Sequence, residues 1–217
     1  MPKRATVIRW VNLGICVWAI VPALDLVRVL ERLNRHFVRA YDYRVLTVAV
    51  ATTGLWAFVF LLAALACTPL QRASGWRWPV EIRRTLGLFA CFYSVLHLMV
   101  YFVIGQKLRV DYLFADAWLR KSRLPGWGAL LLLLPLAATS TDGMVRRLGA
   151  QRWKWLHRLV YLATALAVAH LAWTDVDHYT PLERTKYVLL PLGVLVLLRL
   201  LPLPAWRRKL RHRDVAP

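Results

Sequence analysis

The chain has 217 residues, 59% of them hydrophobic, a mean hydropathy of +0.46 and a formal net charge of +19. Soluble domains are about 45–50% apolar and their apolar runs are short; the runs here are long enough to cross a bilayer, which excludes a water-soluble domain. The charge lies in short clusters between those runs, where it sets topology and meets lipid headgroups, and no nucleic-acid-binding motif accompanies it.

The runs do not alternate as barrel strands do. The fold class they predict is all-α: a polytopic integral membrane bundle of six transmembrane helices, forming one domain over residues 1–217. In chain order the predicted spans are about 9–27, 45–69, 85–104, 126–141, 154–173 and 184–203, each near the ~20 residues that a crossing helix needs. The first follows Lys3, Arg4 and Arg9 as a signal peptide would, but it lacks a small-x-small cleavage site and reads as a retained helix. Pro22, Pro135 and Pro191 fall inside spans and are expected to kink them. The connections 28–44 and 105–125 are too short to fold alone. Cys16, Cys67 and Cys91 lie within apolar runs, without metal or disulfide spacing, and read as packing residues.

Orientation follows from the loops. One side holds the N-terminus, 70–84, 142–153 and the tail, with Arg72, Arg77, Arg83, Arg84, Arg146, Arg147, Arg152 and the cluster Arg207 to Arg213. The other side also carries arginines, offset by Glu31, Asp42, Asp111, Asp116, Asp175, Asp177 and Glu183. The Lys/Arg excess predicts that the first side is cytoplasmic, with both termini on it.

Chemistry concentrates in residues 153–174, WKWLHRLVYLATALAVAHLAWT. His157 and His170 stand thirteen residues apart, about 20 Å along a helix axis. An ionisable side chain within a bilayer is costly and marks function by default. A neutral imidazole on iron relieves that cost, since the metal takes one lone pair and the other ring nitrogen needs a single partner. The third span runs outward, so His97 lies past its middle; the fifth also runs outward, so His170 is near the outer face and His157 near the inner. His97 and His170 are thus the pair best matched in depth, an arrangement suited to bis-histidine haem ligation and electron transfer. Arg83, fourteen residues before His97, falls on nearly the same helical stripe, near the level of His157. Arginine is too basic to ligate iron; it can anchor the interface or pair with a haem propionate.

His36, His178 and His212 lie in loops or the tail and are weaker candidates. Most tryptophans cluster at span ends as an interfacial belt. Arg146, Arg147, Arg152 and Lys154 set topology or meet a flavin phosphate or a reductase. No glycine-rich nucleotide fingerprint exists, so NAD(P)H has no Rossmann site here.

The stretches Thr53-Gly54, Thr68-Pro69-Leu70, IRRTLGLF (82–89), LHLMVY (96–101), AATST (137–141) and RRLGAQRWKWLHRLVYL (146–162) resemble the MsrQ family, once called YedZ, of the ferric-reductase-like transmembrane group. The resemblance runs from the second predicted span to the fifth. It implies a haem b membrane subunit, also binding FMN, with His97, His157 and His170 as iron ligands. It implies electron delivery from the quinone pool, or from a cytoplasmic flavin reductase, to the periplasmic molybdenum enzyme MsrP. That partner repairs methionine sulfoxide in oxidised envelope proteins, and the subunit sits in the bacterial inner membrane. Related ferric reductases carry two histidines on each of two helices and hold two haems. Here Arg83 stands where the inner histidine of the third helix would be, which leaves one haem or two. No residue is assigned to FMN. Two other classes compete: a proton-coupled transporter using the histidines as a relay, and a structural membrane anchor whose histidines only pack. Acidic residues are absent from spans three to five, which disfavours a relay; Asp25 in the first span is the exception.

Overall fold

The computed structural model describes residues 4–36, 43–105, 108–111, 115, 119, 121–173 and 193. Among these residues there is no strand, and seven helices organise the chain: α1 Arg4–His36, α2 Tyr43–Ser74, α3 Trp78–Val100, α4 Leu124–Ala138, α5 Asp142–Leu148, α6 Ala150–His157 and α7 Leu159–Trp173. A π-helical turn over Tyr101–Gly105 ends the third helix, and a 3-10 turn over Lys121–Arg123 opens the fourth.

Among the described residues, three helical stretches are long and apolar enough to cross a membrane: Thr47–Ser74, Trp78–Val103 and Ala150–Trp173. Leu124–Ala138 and Asp142–Leu148 make a fourth if a 92° bend is allowed within one span. Ile8–Val21 is a shorter apolar stretch within α1. The predicted sixth span, 184–203, lies outside the described residues except for Gly193, which is helical.

Helix ends and hydropathy edges differ. The third helix starts at Trp78 with Pro79 in its first turn, seven residues before the apolar run begins. Proline suits that place because the amide it lacks would have no intrahelical partner. The added turns carry Arg83 and Arg84. Likewise α1 continues to His36, so much of the expected 28–44 loop is helix. A helix closes its own backbone hydrogen bonds and therefore extends past the hydrocarbon boundary without penalty. Of the three prolines expected to kink spans, Pro22 lies within an unbroken α1 and Pro191 lies outside the described residues. Pro135 is the one near a sharp bend: its carbonyl accepts both the amide of Thr139 at 3.0 Å and the Thr139 hydroxyl at 2.7 Å, just where α4 stops. Thr141 then caps α5 by accepting the Met144 amide at 3.2 Å, which satisfies one of the orphan donors of a helix start.

The helices pack as two hairpins. α2 lies along α3, with α1 against both, and α4 lies along α7; α3 also touches α4 and joins the two units. The first unit is sealed by aromatic rings. Phe60 stacks on Phe89 and Tyr93 at 5.4 and 5.5 Å between centroids, and Trp18 meets Trp56 edge-on at 4.8 Å. Phe60 and Tyr93 are wholly buried, and the Tyr93 hydroxyl donates to the Ala19 carbonyl, tying α3 to α1. A phenol in lipid needs such an acceptor. In the second unit the glycines of α4 admit α7 closely: Leu166 would meet a methyl on Gly128 at 3.1 Å.

Candidate functional site

His97 comes from α3 and His170 from α7, one from each hairpin. Their ring centroids are 6.2 Å apart and their planes cross at 78°. Two imidazoles facing each other across one metal ion, each with a metal–nitrogen bond of about 2 Å, have ring centres roughly 6 Å apart. The observed spacing therefore suits a single iron between them, and crossed planes are compatible with it.

The hydrogen bonds around His97 determine which nitrogen is available. Nδ1 lies 2.9 Å from the Val50 carbonyl of α2. A carbonyl only accepts, so Nδ1 carries the proton and Nε2 keeps its lone pair. A backbone carbonyl on the outer nitrogen is the usual way a metal-bound histidine is oriented. Thr53 stands 3.4 Å from the same Nδ1, while its own hydroxyl donates to the Ala49 carbonyl at 2.9 Å. Thr53 is buried, and its side chain fills the corner beside the ring.

Both rings rest on glycine. A methyl group on Gly54 of α2 would come within 3.0 Å of His97 Cε1 and Nδ1. One on Gly126 of α4 would come within 2.9 Å of His170 Nδ1 and 3.0 Å of its Cε1. Each imidazole thus fills a notch that a side chain would close.

His157 stands elsewhere, at the C-terminal end of α6, where one non-helical residue, Arg158, separates it from α7. Its Nε2 lies 3.2 Å from the Thr139 hydroxyl. That hydroxyl spends its hydrogen on the Pro135 carbonyl, so His157 Nε2 is the donor and Nδ1 the lone-pair nitrogen. The ring stacks on Trp153 at 3.9 Å, and the Trp153 indole donates to the Thr139 carbonyl at 2.9 Å. Arg83 reaches the Thr68 hydroxyl at 3.5 Å, and its charge acts on His157. The structure thus brings His97 and His170 together, and sets Arg83 and His157 in each other's neighbourhood at the other level.

Reading the sequence alone misses the supporting residues. Gly54 lies inside one of the stretches that carry the family resemblance, where nothing in the sequence gives it a role. Gly126 stands at the edge of the predicted fourth span. The available signal is a glycine within an apolar helix, which is unfavourable unless something approaches it closely. Thr139 and Trp153 carry no comparable signal, because threonine and tryptophan are common at membrane helix ends.

A helical membrane bundle with two imidazole rings 6.2 Å apart, one from each hairpin, defines a class, and residues 49–168 match the family model of the ferric reductase like transmembrane component. The chain is 39% identical over 166 residues to the protein-methionine-sulfoxide reductase heme-binding subunit MsrQ of Ralstonia nicotianae, covering 76% of this chain and 74% of that one. It is 46% identical over 156 residues to the subunit of the same name from Rhodospirillum rubrum, covering 71% and 73%. The magnetosome protein MamZ of Magnetospirillum gryphiswaldense is 41% identical over 117 residues, covering 54% of this chain and 18% of that much longer one. The chain belongs to the MsrQ family of ferric-reductase-like transmembrane proteins.

Proposed function

We propose that this chain is a membrane b-type cytochrome, the haem-binding electron-transfer subunit of a methionine sulfoxide reductase system. The observation that carries the reading is the His97–His170 pair, 6.2 Å between ring centres and drawn from two different hairpins. The names of the relatives, heme-binding subunits of a protein-methionine-sulfoxide reductase, support it.

Haem, when bound, would supply a one-electron carrier within the membrane. His97 and His170 would hold it. The Val50 carbonyl keeps the His97 proton on Nδ1 and so would leave Nε2 available to hold the iron. On the inner level, His157 is held by Thr139 and Trp153, with the charge of Arg83 acting on it. These two residues would serve a second haem or the propionates of the first, a guanidinium being the natural partner of a carboxylate. FMN follows from the family resemblance alone, and no residue here is assigned to it.

The finer reading extends to partners and place. Electrons come from the quinone pool or a cytoplasmic flavin reductase, and go to a periplasmic MsrP-like molybdenum enzyme that reduces methionine sulfoxide. The chain lies in the bacterial inner membrane with six spans, both termini in the cytoplasm.

The test is the absorption spectrum of the purified protein, oxidised and reduced, with haem quantified per chain. The wild type is expected to show a Soret band that shifts on reduction. His97→Ala and His170→Ala are each expected to lose the low-spin signal. A wild type that is colourless and fails to take up added haemin overturns the proposal.

A further inference from the structure

We propose that Gly54 on α2 and Gly126 on α4 are a matched pair of backstops that set the separation of the His97 and His170 imidazoles. The proposal rests on the haem reading above and names the residues that position its two ligands. Each histidine sits on one helix of a hairpin, and each glycine sits on the other helix of the same hairpin. The two notches present the same ring atoms, and the fit is tighter at Gly126, where Cγ of His170 also comes to 3.0 Å, against 3.7 Å for Cγ of His97 at Gly54. A methyl on Gly54 would meet His97 Nδ1 and Cε1 at 3.0 Å, and one on Gly126 would meet His170 Nδ1 and Cε1 at 2.9 and 3.0 Å. Comfortable contact between such atoms lies at about 3.5–4.0 Å, so either ring would have to move by several tenths of an ångström.

Neither ring can absorb that shift freely. His97 is tied to the α2 backbone through Val50, so a ring pushed away from α2 loses its 2.9 Å hydrogen bond. The two ring centroids are already 6.2 Å apart, a spacing that suits one metal ion between them. Other helical glycines make the contrast. A methyl on Gly87 of α3 or on Gly14 of α1 would have no heavy atom within 4 Å, so alanine there meets open space. Gly128 would meet only the flexible tip of Leu166. Helical glycine is unfavourable relative to alanine, and at 54 and 126 an imidazole ring occupies the space a side chain would need. The ligand spacing is thereby referred to backbone on both sides, which no rotamer change can relax.

The experiment uses the full-length membrane protein as wild type, Gly54→Ala, Gly126→Ala and Gly87→Ala. It adds His97→Ala, His170→Ala and the double variants Gly54→Ala/His97→Ala and Gly126→Ala/His170→Ala. Amount in the membrane is read by immunoblot, haem per chain by pyridine haemochrome, ligation by EPR of the oxidised protein, and midpoint potential by redox titration. Gly54→Ala and Gly126→Ala are expected to lose most of their haem, or to keep it with a shifted low-spin EPR signal and potential. Gly87→Ala is expected to match wild type. If an alanine variant fails to accumulate, removing the ring it strikes should restore it to the level of the corresponding histidine variant, since coupling between contacting residues appears as non-additivity in such a cycle. Wild-type haem content, EPR and potential in both Gly54→Ala and Gly126→Ala overturn the proposal while leaving the haem reading intact. So does a variant that stays absent from the membrane when its histidine is removed. A wild type without haem overturns the haem reading and this proposal together.

Discussion

At the residue scale His97 and His157 differ in which ring nitrogen donates its proton. His97 donates its Nδ1 proton to a backbone carbonyl, which leaves the lone pair on Nε2. His157 gives its Nε2 proton to Thr139, so its free nitrogen is the other one. In His157→Ala the low-spin absorbance belonging to the His97/His170 pair is therefore expected to persist. Its disappearance in the reduced-minus-oxidised spectrum, at normal protein level, would tie His157 to that same iron. Tyr93 offers a test of structure alone. Its hydroxyl reaches the Ala19 carbonyl between two helices, and interhelical hydrogen bonds in membrane proteins contribute about 0.6–2 kcal/mol. Tyr93→Phe should lower the thermal unfolding midpoint of the detergent-solubilised protein slightly and leave its spectrum unchanged.

At the element scale, helix ends decide what the site can reach. Pro79 starts α3 early, and that brings Arg83 to the level of α6. The bend after Pro135 turns the chain through 92° and leaves Thr139 at the corner, where it meets both His157 and Trp153. The salt bridge from Arg84 to Asp142 spans the same region at 3.0 Å, with its side chains 48% and 82% exposed. Exposed pairs are worth about 0–1 kcal/mol. Asp142→Asn is thus expected to change thermal stability by no more than that and to leave haem content alone, measured by unfolding of the variant at low and high salt. A large loss would mean that the corner depends on this pair.

At the scale of the whole molecule, two hairpins meet through α3 and α4, and the proposed ligands face each other across that meeting. Charge is expected to set which way the assembly points, with Arg72, Arg77, Arg83, Arg84, Arg146, Arg147 and Arg152 on the cytoplasmic side. A fluorescent reporter fused after Gly75 is expected to be active, and alkaline phosphatase fused there inactive. The reverse is expected for fusions after Gly105. Swapped activities would invert the molecule and place His97 and His170 near the cytoplasmic face instead.

Much of the molecule is legible in its residues alone. Residue chemistry and hydropathy determine that the chain is helical and membrane-embedded, because lipid leaves a backbone few ways to satisfy its polar groups. Depth along a helix depends only on residue count and direction of travel, so the pairing of His97 with His170 follows from position alone. Rotation and close approach do not. Which ring nitrogen is free depends on a carbonyl of α2, and which glycines matter depends on a neighbouring helix 43 or 44 residues away in the chain. Those facts arise only when hairpins pack, since a missing side chain acquires meaning from whatever fills its place.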